Sequence, residues 1–238
     1  MVVQMFVTIV LAVTVPTMSA EINTTHGTKA IQQLQTLPRT DTTWAIIGTL
    51  FTNLIFMMES ENKRRDADSA IYYFRKAQAM APADPIIAAY LTVAIGLRAK
   101  EDNSLQKLFG GTKERAHTAF VTMDSLRRAY PENLTVQFVS ACMFRDASKH
   151  FKDAQMFRLT SYKTFQSLHV LALEGKHPSF FTPDVYSHIL LSLAILVEKL
   201  EDQASADTLS CKYISQLIDG YPDSPAAEYA RSKKLVCE

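Results

Sequence analysis

The sequence is poor in the residues that punctuate β structure. Of its 238 residues only 7 are glycine and 9 are proline, and the stretches 86–130, 132–177 and 184–221 hold no proline at all. An all-β domain needs turn residues roughly every 8–12 positions. Breaks this far apart predict long helices instead. Charge of one sign is also missing: 25 Lys and Arg face 24 Asp and Glu, for a formal net charge of +1. So even a balance gives no electrostatic footprint for nucleic acid, and no nucleic-acid partner is expected. Metal and nucleophile motifs are absent as well. The six histidines, at 26, 117, 150, 169, 177 and 188, form neither HExxH nor a two-His helical pair, and the three cysteines form no CxxC. No P-loop, GxGxxG, GxSxG or Cys/His nucleophile pattern occurs. We therefore expect no catalytic residue, no metal and no cofactor, and not an enzyme.

What is present begins with an apolar run from Met5 to Val15, followed by Pro16 and by Ser19-Ala20. A run of this length falls short of the about 20 residues that span a bilayer, and its pattern is that of a secretory signal peptide cut near Ala20. The segment before it carries no Lys or Arg. The alternative is an apolar helix that packs on the core. Export implies a periplasmic or secreted protein with no stable membrane span once the signal is removed. It also bears on the cysteines, Cys142, Cys211 and Cys237. An oxidising compartment permits one bridge and leaves one thiol. Cys211 and Cys237 fall on the two arms of one expected helical hairpin and are the candidate pair. Three independent thiols, with Cys142 buried, is the other reading.

Helix starts are marked where a capping side chain precedes proline: Asp84-Pro85, Thr182-Pro183 and Ser224-Pro225. The cap oxygen accepts an otherwise unpaired backbone N–H, and proline loses nothing at the first helical position. Asp41 before Thr42 reads as a further cap. Gly110-Gly111, Gly175 and Gly220 read as stops, because glycine accepts the left-handed conformation that ends helices. Between these marks the apolar residues recur at helical spacing. The predicted helices are 28–37, 42–60, 67–80, 85–100, 112–129, 133–147, 151–173, 184–200, 203–219 and 225–235. Lys63-Arg64-Arg65-Asp66 reads as a solvated connection, and Phe180-Phe181 as an apolar staple before the Thr182 cap. The fold class is all-α, built from stacked antiparallel helix hairpins.

Three helices end alike. Ala70, Ala119 and Ser210 are each followed at +4 by a large apolar residue (Phe74, Met123, Ile214), at +7 by an apolar one (Ala77, Leu126, Leu217) and at +12 by proline (Pro82, Pro131, Pro222). The small residue lets two helices approach, the next two fill the groove, and proline turns the chain into the following helix. This pattern resembles the second helix of the tetratricopeptide repeat. Trp44, Ile47, Gly48 and Phe51 match the aromatic, aliphatic, glycine, aromatic order of that family's first helix. The spacing departs from the family: its repeat is about 34 residues, whereas Pro82 to Pro131 spans 49 and Pro131 to Pro222 spans 91.

The resemblance implies a superhelix of about 8–10 helices over residues 42–238, after a signal peptide at 1–20 and a segment with one short helix at 21–41. It further implies a groove lined by first helices, into which Thr49, Thr52 and Asn53 would face a protein or peptide partner. The expected function is an exported, non-enzymatic scaffold binding such a partner in the cell envelope. The alternative is an accessory protein of a solute transport system that holds a small ligand in a helical pore or cleft.

Overall fold

The structure, a computed structural model, describes residues 36–56, 62–101, 111–147, 154–200, 203–233 and 235. Among them are nine α-helices and no strand: α1 (Asp41–Phe56), α2 (Lys63–Met80), α3 (Pro85–Lys100), α4 (Thr112–Ala129), α5 (Leu134–Ala147), α6 (Ala154–Leu173), α7 (Pro183–Leu200), α8 (Gln203–Gly220) and α9 (Pro225–Ser232). The signal-peptide segment, all but the last two residues of the predicted 28–37 helix, Gly110 and Cys237 lie outside the described residues. The chain forms two compact units that divide near residue 136. In the first, α1 packs on α2, α2 on α3 and α3 on α4. In the second, α6 packs on α7 and α7 on α8, with α9 against both α7 and α8. Adjacent helices thus pack in succession, as an all-α helical-repeat fold requires.

The three repeated helix ends fold into one turn made three times. The C-cap N–H of Ala81, Tyr130 and Tyr221 donates to the carbonyl four residues back (Ala77, Leu126, Leu217), each at 2.9 Å. The same residue's carbonyl then accepts the N–H of Asp84, Asn133 or Ser224 at 3.0–3.2 Å. Proline occupies the second position of each turn, where its fixed φ is already correct. The fourth residue caps the next helix: Asp84 accepts from Ile86 and Ile87, Asn133 from Val136 and Ser224 from Ala227. The small and +4 residues are buried in all three copies; at +7, Ala77 and Leu217 are buried and Leu126 is half-buried.

Other boundaries differ from expectation for local reasons. The cap of α1 is Thr40, whose hydroxyl accepts from the Thr43 N–H, while Asp41 is already helical. Lys63 to Asp66 is the first turn of α2, not a loop, because Asn62 accepts from the Arg65 N–H and starts the helix early. Gly175 ends α6 in a Schellman arrangement, with φ +67°, Lys176 N–H on Leu171 O and Gly175 N–H on Ala172 O. Gly220 keeps a negative φ, and Tyr221-Pro222 stops α8 instead. Gly111, with φ +91°, opens α4. Phe181 packs edge-on against Tyr186 at 6.4 Å, the staple contact across the Thr182 cap.

Gly48 shows how tightly α1 and α2 meet. A Cβ built there would lie 3.0 Å from the Phe74 ring, which is fully buried and stacked on Tyr90 of α3 at 6.0 Å. Gly48→Ala gains about 1 kcal/mol of helix propensity but forces that ring aside, and overpacking costs about 1–3 kcal/mol. A net loss of about 1 kcal/mol is expected, read as a lower urea midpoint. A raised midpoint would show that the ring has room to yield.

Candidate functional site

The sequence-predicted partner residues sit inside the first unit. Thr49 and Thr52 are only 1% and 4% exposed, and the Thr52 hydroxyl donates to the Gly48 carbonyl at 2.9 Å. Threonine in a helix readily bonds back to the carbonyl four residues earlier, which removes the hydroxyl from external use. A partner could reach these two side chains only after rearrangement. The Asn53 side chain lies outside what is described.

An open polar cleft of this unit lies on α2. Asn62, Arg64, Arg65, Asp68, Ser69, Tyr72 and Tyr73 line an open cleft of about 540 Å³. Their placement follows from helix geometry, since residues 62, 65, 69 and 72 recur at three- and four-residue steps along one face. Tyr73 anchors the wall, stacked on Phe51 at 5.6 Å, tilted against Trp44 at 5.4 Å and met edge-on by Tyr72 at 5.2 Å. Cations flank this aromatic run: Lys76 stands 5.5 Å above the Tyr72 ring and Arg39 5.8 Å above Trp44. On the other side, Asp68 is engaged by Arg98 of α3 at 2.6 Å. Asp66 is buried beneath the first turn, 3.5 Å from Arg65 Nε. Three cations in a helix's first turn oppose the helix dipole. An anionic group in the cleft would relieve that opposition.

The second unit holds a buried polar cluster that sequence spacing did not reveal. His188 on α7 lies with Nε2 3.0 Å from Arg145 Nη1 and 3.5 Å from Cys142 Sγ, both on α5. Arg145 Nη1 also donates to Ser192 Oγ at 2.6 Å, and its Nε to Asp146 at 3.2 Å. A guanidinium can only donate, so Nε2 is the acceptor and the imidazole is neutral with its proton on Nδ1. Burial, and then the Arg145 charge, hold the His188 pKa well below its ordinary value. Burial pushes the Cys142 thiol up to about 12. A thiol beside an imidazole is the arrangement of a nucleophilic cysteine, but reactivity needs a thiolate. Here the thiol is protonated and the imidazole is occupied by Arg145. Phe138 and Phe165 close over the His188 ring at 5.6 and 6.4 Å. The cluster joins α5 to α7 as a structural element.

A second histidine, His169 on α6, shares a 2.8 Å hydrogen bond with the Tyr186 hydroxyl and stacks on that ring, while Tyr213 meets it edge-on. Burial, and then Lys212, lower its pKa. Among the described residues no group of three His, Cys, Asp or Glu is placed to hold a metal ion, and no helix is long and apolar enough to cross a membrane.

Of the cysteines, Cys142 is a free buried thiol and Cys211 is disulfide-bonded. Non-reducing peptide mapping is expected to join the Cys211 peptide to the Cys237 peptide and to leave Cys142 alkylated only after unfolding. A Cys142–Cys211 link would be the opposing result. Comparison of the chain with family models, with curated proteins and with solved structures finds no match.

Proposed function

We propose that this chain is a non-enzymatic, tetratricopeptide-like scaffold, exported from the cytoplasm, that binds a protein or peptide partner in the cell envelope. The observation that carries the reading is the open α2 cleft, which Arg64, Arg65 and the exposed Tyr72 line together. Arginine and tyrosine supply directional bonds and apolar area at low entropic cost, and they dominate the residues on which partners depend. Because the cleft opens broadly, a chain segment lying across it suits the shape better than a small enclosed ligand, and the cationic rim favours a segment bearing carboxylates. The thrice-made Pro turn with buried small and large positions supports the repeat resemblance. Export is supported by the Met5–Val15 run and by a disulfide at Cys211, since such bonds persist in oxidising compartments.

The test compares partners recovered from envelope extract by the wild type and by the Arg64→Glu/Arg65→Glu/Tyr72→Ala variant. Acidic residues in a first turn suit the helix dipole, but Arg65→Glu also sets a carboxylate beside the buried Asp66, so circular dichroism checks that the variant is folded before partners are compared. A partner held through the cleft should bind it at least about 2 kcal/mol more weakly, or roughly 30-fold in Kd. A partner retained equally by both proteins refutes the assignment of the cleft. An intact mass that starts at Met1 in a cytoplasmic fraction refutes export.

A further inference from the structure

One face of α6 is apolar and open to solvent. Met156 is 58% exposed, Leu159 43%, Val170 50% and Leu173 66%. With Lys163 and Gln166 these residues step by 3, 4, 3, 4 and 3 along the helix, the spacing of a coiled-coil seam. The opposite face of α6, including Ser161, Phe165 and Leu168, is already buried, with the Ser161 hydroxyl on the Ala141 carbonyl of α5 at 2.8 Å. The seam, exposed at every position but the half-buried Gln166, whose Nε2 donates to the Tyr162 hydroxyl at 2.9 Å, is therefore additional to the face that packs in the second unit.

The seam is also symmetric. About the point midway between residues 164 and 165, Met156 mirrors Leu173, Leu159 mirrors Val170 and Lys163 mirrors Gln166. Two copies of α6 laid antiparallel about a two-fold axis set apolar against apolar at both ends and Lys163 against Gln166 in the middle. A two-fold interface demands this self-complementarity. The polar centre fixes the register, because sliding one copy by a heptad would set Lys163 against an apolar side chain. From this pattern we infer that the face is the interface of a homodimer, with a second copy of this chain as its occupant. A net charge of +1 leaves little long-range repulsion between copies.

The size of the face sets the strength. Twenty residues of helix are about 30 Å long, and a strip one helix diameter wide covers roughly 350 Å² on each copy. The pair falls below the about 1,200 Å² of a stable complex, so the dimer is reversible, with a Kd in roughly the micromolar range or weaker. This inference stands independently of the α2 cleft, which lies in the other unit.

Sedimentation equilibrium on the full chain, from about 1 µM to about 500 µM, is expected to show a mass rising from 26.7 kDa toward twice that value. Leu159→Glu/Val170→Glu changes only exposed positions; its folding is checked by circular dichroism, and it should abolish the rise. Leu159→Cys/Val170→Cys in one chain should yield a covalent dimer on mild oxidation, whereas either single variant should not. Within one helix those two sites are about 16 Å apart, too far for a bridge. A mass that stays at one chain throughout overturns the inference. So does a rise that survives the glutamate variant, which would place self-association elsewhere, for example in the apolar run at Met5–Val15. Cross-linking of the single variants as efficient as that of the pair overturns the antiparallel register.

Discussion

Phe74→Ala is expected to cost about 3–5 kcal/mol, the range for removing a fully buried phenylalanine, and to lower the melting temperature of the first unit by roughly 12–24 °C. Three helices meet at this ring. It receives Gly48 of α1, it belongs to α2, and it stacks on Tyr90 of α3. Truncation leaves a cavity that Gly48 cannot fill, since glycine has no side chain to move into the space, and Tyr90 loses its stacking partner. Against a total stability of about 5–15 kcal/mol this is a large fraction. Trp44 is the one tryptophan of the sequence and packs on Tyr73, so its fluorescence reports on the same unit. The urea midpoint of that signal should fall sharply. A fall of under about 1 kcal/mol would mean that α1 and α3 collapse onto each other across the vacated site.

The residues behind this prediction were legible beforehand, because they are local or periodic. Asp84, Thr182 and Ser224 cap their helices where the following prolines indicated, and Ala70-Phe74-Ala77 is buried at the small, large, apolar spacing read from the chain. Such signals depend on neighbours within about four residues, where helix geometry leaves few options. Lys63 to Asp66 does not read as helix from the sequence, for a physical reason. Its charges suggested solvent, yet Asp66 turns inward, Arg65 reaches across to it, and Asn62 supplies the cap.

The buried polar cluster was harder to see, since Cys142 and His188 are 46 residues apart and no local rule joins them. A trace was nonetheless present. Cys142 and Arg145 are three apart on α5, and His188 and Ser192 are four apart within the buried stretch of α7. Two polar pairs at helical spacing, each on a core-facing stripe, are candidates to satisfy each other. Thr49 and Thr52 failed as surface residues for the converse reason. Threonine can bond its own helix backbone, so polarity alone does not place it outside.

Two buried histidines, His188 of the polar cluster and His169 on α6, make stability depend on pH. In the unfolded chain a histidine titrates near 6.5, whereas folding holds both His188 and His169 below that value. Below about pH 6.5 the unfolded state therefore binds protons that the folded state refuses. Stability is fully present above 6.5 and is lost as the pH falls from there toward the folded pKa values. Each histidine contributes at most about 1.4 kcal/mol per pH unit, reached where it is charged in the unfolded chain and neutral in the folded one. Charging His188 would set an imidazolium against Arg145 at 3.0 Å and break its acceptor role, so its share should persist over most of the acid limb. His188→Gln tests this directly, because a glutamine carbonyl can accept from Arg145 without titrating. Urea midpoints measured between pH 6.5 and 5 should fall less steeply in this variant than in the wild type. Equal slopes would show that His188 does not control the acid limb and that the hydrogen-bonding state assigned from Arg145 is wrong.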